Sequence, residues 1–97
     1  MEFAHTHVCR VTGLAGDPAA LGGAVTVGLC GHWEHEGACR WPHHTATQPD
    51  GDTVVVTVRF DAPDPEVWHV QGLIEQALGT GALRGPEGDL TTWTLLS

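Results

Sequence analysis

The chain contains no lysine and no tyrosine, and only four arginines oppose twelve acidic residues, which leaves a formal net charge of −8 over 97 residues. A surface this poor in cations repels phosphate, so we expect neither nucleic acid nor an anionic membrane as a partner. No apolar run approaches the roughly 20 residues of a membrane span, and no basic and then apolar segment indicates a secretion signal. We therefore expect a cytoplasmic protein, whose negative charge favours a metal cation as its ligand.

Several familiar motifs are also missing. The sequence has no CxxC pair, phosphate-binding loop, dinucleotide fingerprint or serine nucleophile elbow. Its three cysteines are an odd number, and in a reducing compartment Cys9, Cys30 and Cys39 are expected to be thiols or metal ligands. A Cys30–Cys39 disulfide that closes a short loop remains the alternative. Neither the reaction type nor any catalytic residue can be assigned from these absences.

The chemistry of the sequence is concentrated between Cys30 and His44, in the stretch CGHWEHEGACRWPHH. This stretch holds two of the three cysteines and four of the seven histidines. Thiolate sulfur and neutral imidazole suit zinc, and also copper or nickel, because they are soft or borderline donors. The predicted metal ligands are Cys30, His32, His35, Cys39, His43 and His44. Among these, Cys30, His35, Cys39 and His43 form a Cys2His2 set, in which His32 or His44 can substitute.

Other readings of the same residues stay open. The cysteines can be small buried apolar residues and the histidines part of a polar loop, without any metal. Alternatively, an open coordination position with Glu34 or Glu36 as general base would make a small metalloenzyme. His5, His7 and Cys9 alternate on one strand face and form a second cluster. If Ala4, Thr6 and Val8 face the helix, this cluster lies on the open face of the sheet, where it can join the site beside Cys30 and His32; otherwise it is an exposed polar strand face. His69 is expected to be a solvated helix residue.

Alternation and turn signals predict the secondary structure. Strands are expected at 2–12, 24–30, 53–60 and 90–96. A single helical turn is expected at 17–22, started by Asp17 and Pro18. One longer helix begins with Asp64 as its N-cap and ends near Gly79, with Trp68 pointing away from its apolar stripe. The stretch 31–52 is expected to be a ligand-rich loop that ends in a turn at Pro49-Asp50-Gly51-Asp52, and 82–89 is expected to be a loop.

This order of elements predicts the fold. Residues 1–97 are expected to form a single α+β domain of ferredoxin-like type, with a degenerate βαββαβ order. In it, an antiparallel sheet has one main helix on one face and the long ligand-rich loop between strands 2 and 3. Because one sheet face would stay uncovered, we expect a homodimer. The predicted function is transition-metal binding, most simply of zinc, in a structural, sensing or sequestration role; the alternative is a metal-free dimeric interaction module.

Overall fold

The computed structural model describes residues 3–30, 41–85 and 88–96, and it gives a small α+β fold. Its strands are β1 (His5–Ala15), β2 (His43–Asp50), β3 (Thr53–Phe60), β4 (Ala82–Arg84) and β5 (Leu90–Leu95). Its helices within these ranges are α1 (Ala19–Cys30) and α2 (Val67–Gly79), and a 3-10 turn at Asp64–Glu66 leads into α2. The strands form one five-stranded antiparallel sheet in the order β2-β3-β1-β5-β4.

The hydrophobic core lies between one face of this sheet, the covered face, and the two helices. β3 contributes Val56, Val58 and Phe60, which alternate along the strand and are fully buried. The other buried apolar residues are Cys9 and Val11 of β1, Leu21, Val25 and Leu29 of α1, Val70, Ile74 and Leu78 of α2, and Trp41 and Trp93, with Ala20 and Ala24. The indole Nε1 of Trp93 donates a 2.7 Å hydrogen bond to the Leu78 carbonyl, which ties β5 to the end of α2.

The prediction of a strand at 24–30 is wrong, because these residues form most of α1. The helix also replaces the predicted single turn, so that two helices rather than one main helix cover the sheet. Leu21, Val25 and Leu29 recur every four residues and are all buried, as expected for one side of a helix. The predicted start is confirmed: the Asp17 side chain accepts a 2.9 Å hydrogen bond from the backbone N–H of Ala19.

The long ligand-rich loop predicted between strands 2 and 3 is also wrong as placed. β2 and β3 are joined by only Gly51 and Asp52, and the register pairs Asp50 with Thr53 across this turn. Gly51 has a φ of 61°, and no residue other than glycine has positive φ in the described ranges, as in a type II′ hairpin turn. The predicted turn at 49–52 is therefore confirmed, whereas the segment rich in metal donors connects α1 to β2. Residues 82–84, predicted to be loop, form the edge strand β4.

Other predictions are confirmed residue by residue. The strand at 53–60 has the predicted bounds, and the apolar stripe of α2 is buried at Val70, Ile74 and Leu78. Trp68 is 74% exposed, as predicted for a residue pointing away from that stripe. Asp64, however, makes no side-chain cap: it is the first residue of the 3-10 turn, whose N-cap is Pro63, and the N-cap of α2 is Glu66. Neither helix in the described ranges is long and apolar enough to cross a membrane.

Candidate functional site

One end of the sheet, which we call the donor end, collects histidines from several elements. The register pairs both His5 and His43 with Phe60, so the start of β1, the start of β2 and the end of β3 lie side by side. α1 leaves the far end of β1 and returns towards the donor end, where Cys30 is its last residue. α2 follows the end of β3 and begins there, which brings in His69.

His43 is held in one tautomer. Its Nδ1 lies 3.1 Å from the Trp41 carbonyl oxygen, which can only accept, so Nδ1 carries the hydrogen. Its Nε2 is then the nitrogen that carries the lone pair, and it lies 3.2 Å from the Thr26 hydroxyl of α1. A histidine that ligates a metal commonly has the same arrangement, with one N–H fixed by a carbonyl and the other nitrogen available as donor. Thr26 precedes Cys30 by four residues, or about one helical turn.

His43 and His44 point to opposite faces of the sheet, because they are successive residues of β2. His43 is half-buried on the covered face, where it meets α1. His44 is exposed on the other face, in the row that also contains Arg59 and Thr6. A single site at the donor end can therefore use one of these two predicted ligands, and His43 is the one beside α1.

The second predicted cluster lies on the covered face of β1. His5, His7 and Cys9 all face the helices, whereas Thr6 and Val8 point to the other side. The cluster would have lain on the open side only if Ala4, Thr6 and Val8 had faced the helix, and Cys9 is instead buried. The His5 ring packs against Phe60 with 5.4 Å between ring centroids. Because β3 lies between β1 and β2, two strand spacings of about 4.8 Å each separate the backbones of His5 and His43.

His7 and Glu75 form a contact between β1 and α2. Nε2 of His7 lies 3.7 Å from Oε2 of Glu75, beyond hydrogen-bond range. The same Nε2 is buried without a hydrogen-bond partner among the described residues. Protonation of this imidazole would turn the contact into an ion pair.

Cys9 is a free, buried cysteine in the same layer. Burial, and secondarily the negative charge of Glu75, raise the pKa of its thiol from 9.0 to about 11. A thiol with this pKa is protonated at neutral pH, and both nucleophilic attack and metal ligation require the thiolate. Cys9 therefore acts as a core residue, in agreement with the reading of cysteine as a small apolar side chain.

Aromatic rings line the donor end. Trp41 is buried, and its ring lies 5.8 Å from the His69 ring in an edge-on arrangement. Trp68 also lies edge-on to His69, at 6.3 Å between centroids, but is itself largely exposed. His69, predicted to be a solvated helix residue, is exposed as predicted and also touches both indoles. The rings of Trp41 and His69, which we call the aromatic base, thus hold the start of β2 in position.

The remaining predicted ligands fall on residues that the structure does not describe. His32, His35 and Cys39 lie outside the described residues, as do Glu34 and Glu36, and so does the side chain of Cys30. Within 3–30, 41–85 and 88–96, no group of three or more His, Cys, Asp or Glu side chains could hold a metal ion. Any complete site at the donor end therefore needs donors from residues 30–40.

The residue that sequence reasoning missed is Thr26, whose hydroxyl contacts His43. Its spacing of four from Cys30 would have been informative only if α1 had been recognised as a helix. Because comparison with protein-family models, with curated proteins and with solved structures finds no match for this chain, the chemistry of the site alone indicates a function.

Proposed function

We propose that this protein binds zinc, or another late first-row transition metal such as copper or nickel, at the donor end of its sheet. We draw the ligands from Cys30, His32, His35, Cys39 and His43, and we choose His43 over His44 because His43 lies on the same face of β2 as α1. Four of these donors satisfy a tetrahedral zinc site of the Cys2His2 type. The role is structural, sensory or in sequestration, in a reducing compartment such as the cytoplasm, where cysteine thiols persist.

The observation that carries the proposal is the position of the His43 ring. Its Nδ1–H is fixed by the Trp41 carbonyl, so its Nε2 presents a lone pair towards α1. The helix ends four residues beyond the contact at Thr26, with Cys30. Cys30 and His43, the first and fifth predicted donors, thus flank the twelve residues 31–42, which contain the other three. Metal binding would require the Thr26 hydroxyl to move away from His43 Nε2, so that the metal can take its place.

Energetics support a metal in this place. The segment 31–40 contains two glycines, two glutamates and an arginine, and few of its residues are aliphatic. A closed zinc site supplies on the order of 10 kcal/mol of binding free energy, which would stabilise the fold where few residues are suited to a hydrophobic core. The aromatic base of Trp41 and His69 would shield one side of the site from water.

The experiment is metal analysis of untagged protein, followed by affinity measurements with a chromophoric zinc competitor on two adjacent variants. We expect about one equivalent of a single metal, and at least a tenfold loss of affinity in His43→Gln. His44→Gln is the matched control, because it makes the same change one residue away on the opposite face, and it should keep the wild-type affinity. Equal affinities of both variants and of the wild type would show that His43 is not a ligand.

A second pair of variants tests the thiolates. Cys39→Ser should abolish stoichiometric zinc binding, whereas Cys9→Ser, at a buried thiol, should keep the stoichiometry even if it lowers the melting temperature. Substoichiometric mixed metals in the wild type, together with a melt that does not change on chelation, would contradict a structural metal site. Metal uptake without a change in the melt would instead favour sensing or sequestration.

For the fold, we propose the ferredoxin-like βαββαβ plan with β4 added at one edge. Supporting it are the strand order β2-β3-β1-β5, the crossover of α1 from β1 to β2, and the crossover of α2 from β3 to β5. We also propose that the protein is a homodimer. Support for this comes from the sheet face that the helices leave uncovered, and it would hold for a metal-free interaction module as well.

A further inference from the structure

We infer that two copies of this chain pair through the uncovered face of the sheet, with the strands of one copy antiparallel to those of the other. We call this surface the open face. It consists of the outward residues of four neighbouring strands: His44, Ala46, Gln48 and Asp50 of β2; Thr53, Val55, Thr57 and Arg59 of β3; Thr6, Val8, Arg10 and Thr12 of β1; and Thr92 and Thr94 of β5, with Leu96 beyond it. The inference sharpens the homodimer of the proposed function and is independent of the metal.

Apolar side chains are exposed in the middle of the open face, on either side of Arg10. Val8 is 54% exposed and Leu96 is 53% exposed, and the Leu96 backbone N–H bonds to the Arg10 carbonyl, which places Leu96 beside Arg10. Val8 lies in one cross-strand row with Thr57 and Ala46. Of the four large apolar residues exposed in the described part of the chain, only Trp68 lies on the helix side. An apolar centre with a polar rim is the usual composition of a protein interface.

The one cation in the middle of this surface is already neutralised within it. Arg10 reaches across β3, and its Nη1 lies 2.9 Å from Oδ2 of Asp50. Covering this pair therefore buries no unpaired charge, and an unpaired charge would otherwise oppose docking. A partner does not need to supply an ion for Arg10.

The remaining charges differ between the two ends of the open face, and this sets the orientation. Arg59, with no ion pair among the described residues, lies at the donor end between Thr6 and His44. The nearby Asp61 is used through Oδ1 by the backbone N–H of Ala4. The opposite end carries Asp52 in the hairpin turn, beside the Asp50 that is already paired with Arg10. A partner copy with parallel strands would bring Arg59 against the partner's Arg59, whereas antiparallel strands bring it against the partner's acidic turn.

The size of the face predicts a weak dimer. The four strands of the open face, which have six to eleven residues each, span roughly 20 by 25 Å in the plane of the sheet. This is below the roughly 800 Å² that each partner contributes to a standard interface, so we expect a weak, concentration-dependent dimer. The two donor ends would lie at opposite ends of such a dimer, so neither metal site needs residues of the other copy.

The test is sedimentation velocity of the untagged full chain over a concentration series, with and without chelator. Val8→Glu should weaken dimerisation by about tenfold or more, because it places a charge in the apolar centre. Trp68→Glu is the matched control: it makes the same kind of change at a more exposed apolar residue on the helix side, and it should dimerise like the wild type. Circular dichroism melts verify that both variants are folded.

Charge reversal tests the orientation. Arg59→Glu and Asp52→Arg should each weaken the dimer, and the double variant should recover most of the loss if the strands are antiparallel. A double variant weaker than either single variant would overturn the antiparallel arrangement. A wild-type chain that is monomeric throughout, or a dimer lost in Trp68→Glu but kept in Val8→Glu, would overturn the open face as the interface. Zinc affinity of Val8→Glu, measured in parallel, keeps failure of the dimer distinct from failure of the metal site.

Discussion

The two faces of β3 differ in what they contribute, although they come from the same eight residues. Val56, Val58 and Phe60 are fully buried under the helices, whereas Thr57 is half-buried and Arg59 is exposed on the open face. The covered face supplies stability through burial, at about 25 cal/mol per Å² of apolar surface. The open face keeps exposed residues whose interactions depend on solvent, on salt and on whether a second copy covers them. Substitutions on the two faces should therefore differ in size and in the conditions that reveal them.

The largest expected effect is at the centre of the covered face. Phe60→Ala removes a fully buried ring that packs between His5 and the helices, so it should lower the free energy of unfolding by about 3–5 kcal/mol. Its neighbour Arg59 is exposed, and Arg59→Ala should change the same quantity by about 0.5 kcal/mol or less. Urea denaturation of monomeric protein measures both. Comparable losses in the two variants would contradict the division between the faces.

The next effect concerns pH. The pKa of Cys9 is raised from 9.0 to about 11 in the folded state, so the unfolded chain loses this proton first as the pH rises. The contribution of the protonated Cys9 thiol to the free energy of unfolding is complete below pH 9. It falls by about 2–3 kcal/mol between pH 9 and 11. Cys9→Ala should be less stable at pH 7 but should lose less stability over that range. Urea denaturation at pH 8 and at pH 10.5 measures this loss for both proteins. Equal losses of the free energy of unfolding in the wild type and in Cys9→Ala would contradict the prediction.

The sequence was most informative where the two faces differ in polarity. β3 and α2 each bury one side only, so the periods of 2 and 3.6 appear directly in their residues. α1 lacks this contrast: Ala20, Leu21, Ala24, Val25 and Leu29 are all buried, and its β-branched valines alternate as in a strand. The packing of α1 against α2 favours the helix over the predicted strand. Gly28 lies so near Ala77 that only the absence of a side chain permits this contact.

β2 was missed for the opposite reason, because it has almost no apolar residue to show a period. Its inward residues are His43, Thr45 and Thr47, and Pro49 is tolerated since β2 is an edge strand. The donor residues of the site were identified by residue type alone. That His43 and His44 diverge depends on β2 being a strand, and the contact with Thr26 depends on α1 being a helix. Neither could be derived from a reading that placed both in other elements.

A pair of glycines extends the comparison to the helix layer. A Cβ at Gly28 would lie 2.6 Å from the Ala77 Cβ, whereas a Cβ at Gly72 meets nothing within 4 Å. Gly28→Ala should therefore cost about 1–3 kcal/mol through overpacking. Gly72→Ala should stabilise by about 0.5–1 kcal/mol, since alanine restricts the unfolded chain and favours the helix. Thermal melts of the two variants should shift in opposite directions; a shared sign would mean that the contact between α1 and α2 can relax.

The smallest effect, the coupling between Arg10 and Asp50, can separate a free open face from a covered one. Both side chains are about half-exposed, so a double-mutant cycle in the monomer should give about 0.2–1 kcal/mol, and added salt should reduce it. In the proposed dimer the same pair loses its water and becomes harder to screen. The cycle, made with Arg10→Ala and Asp50→Ala, is therefore measured at concentrations below and above the dimerisation range. A coupling with the same salt dependence at both concentrations would mean that the pair stays exposed to solvent and that no second copy covers it.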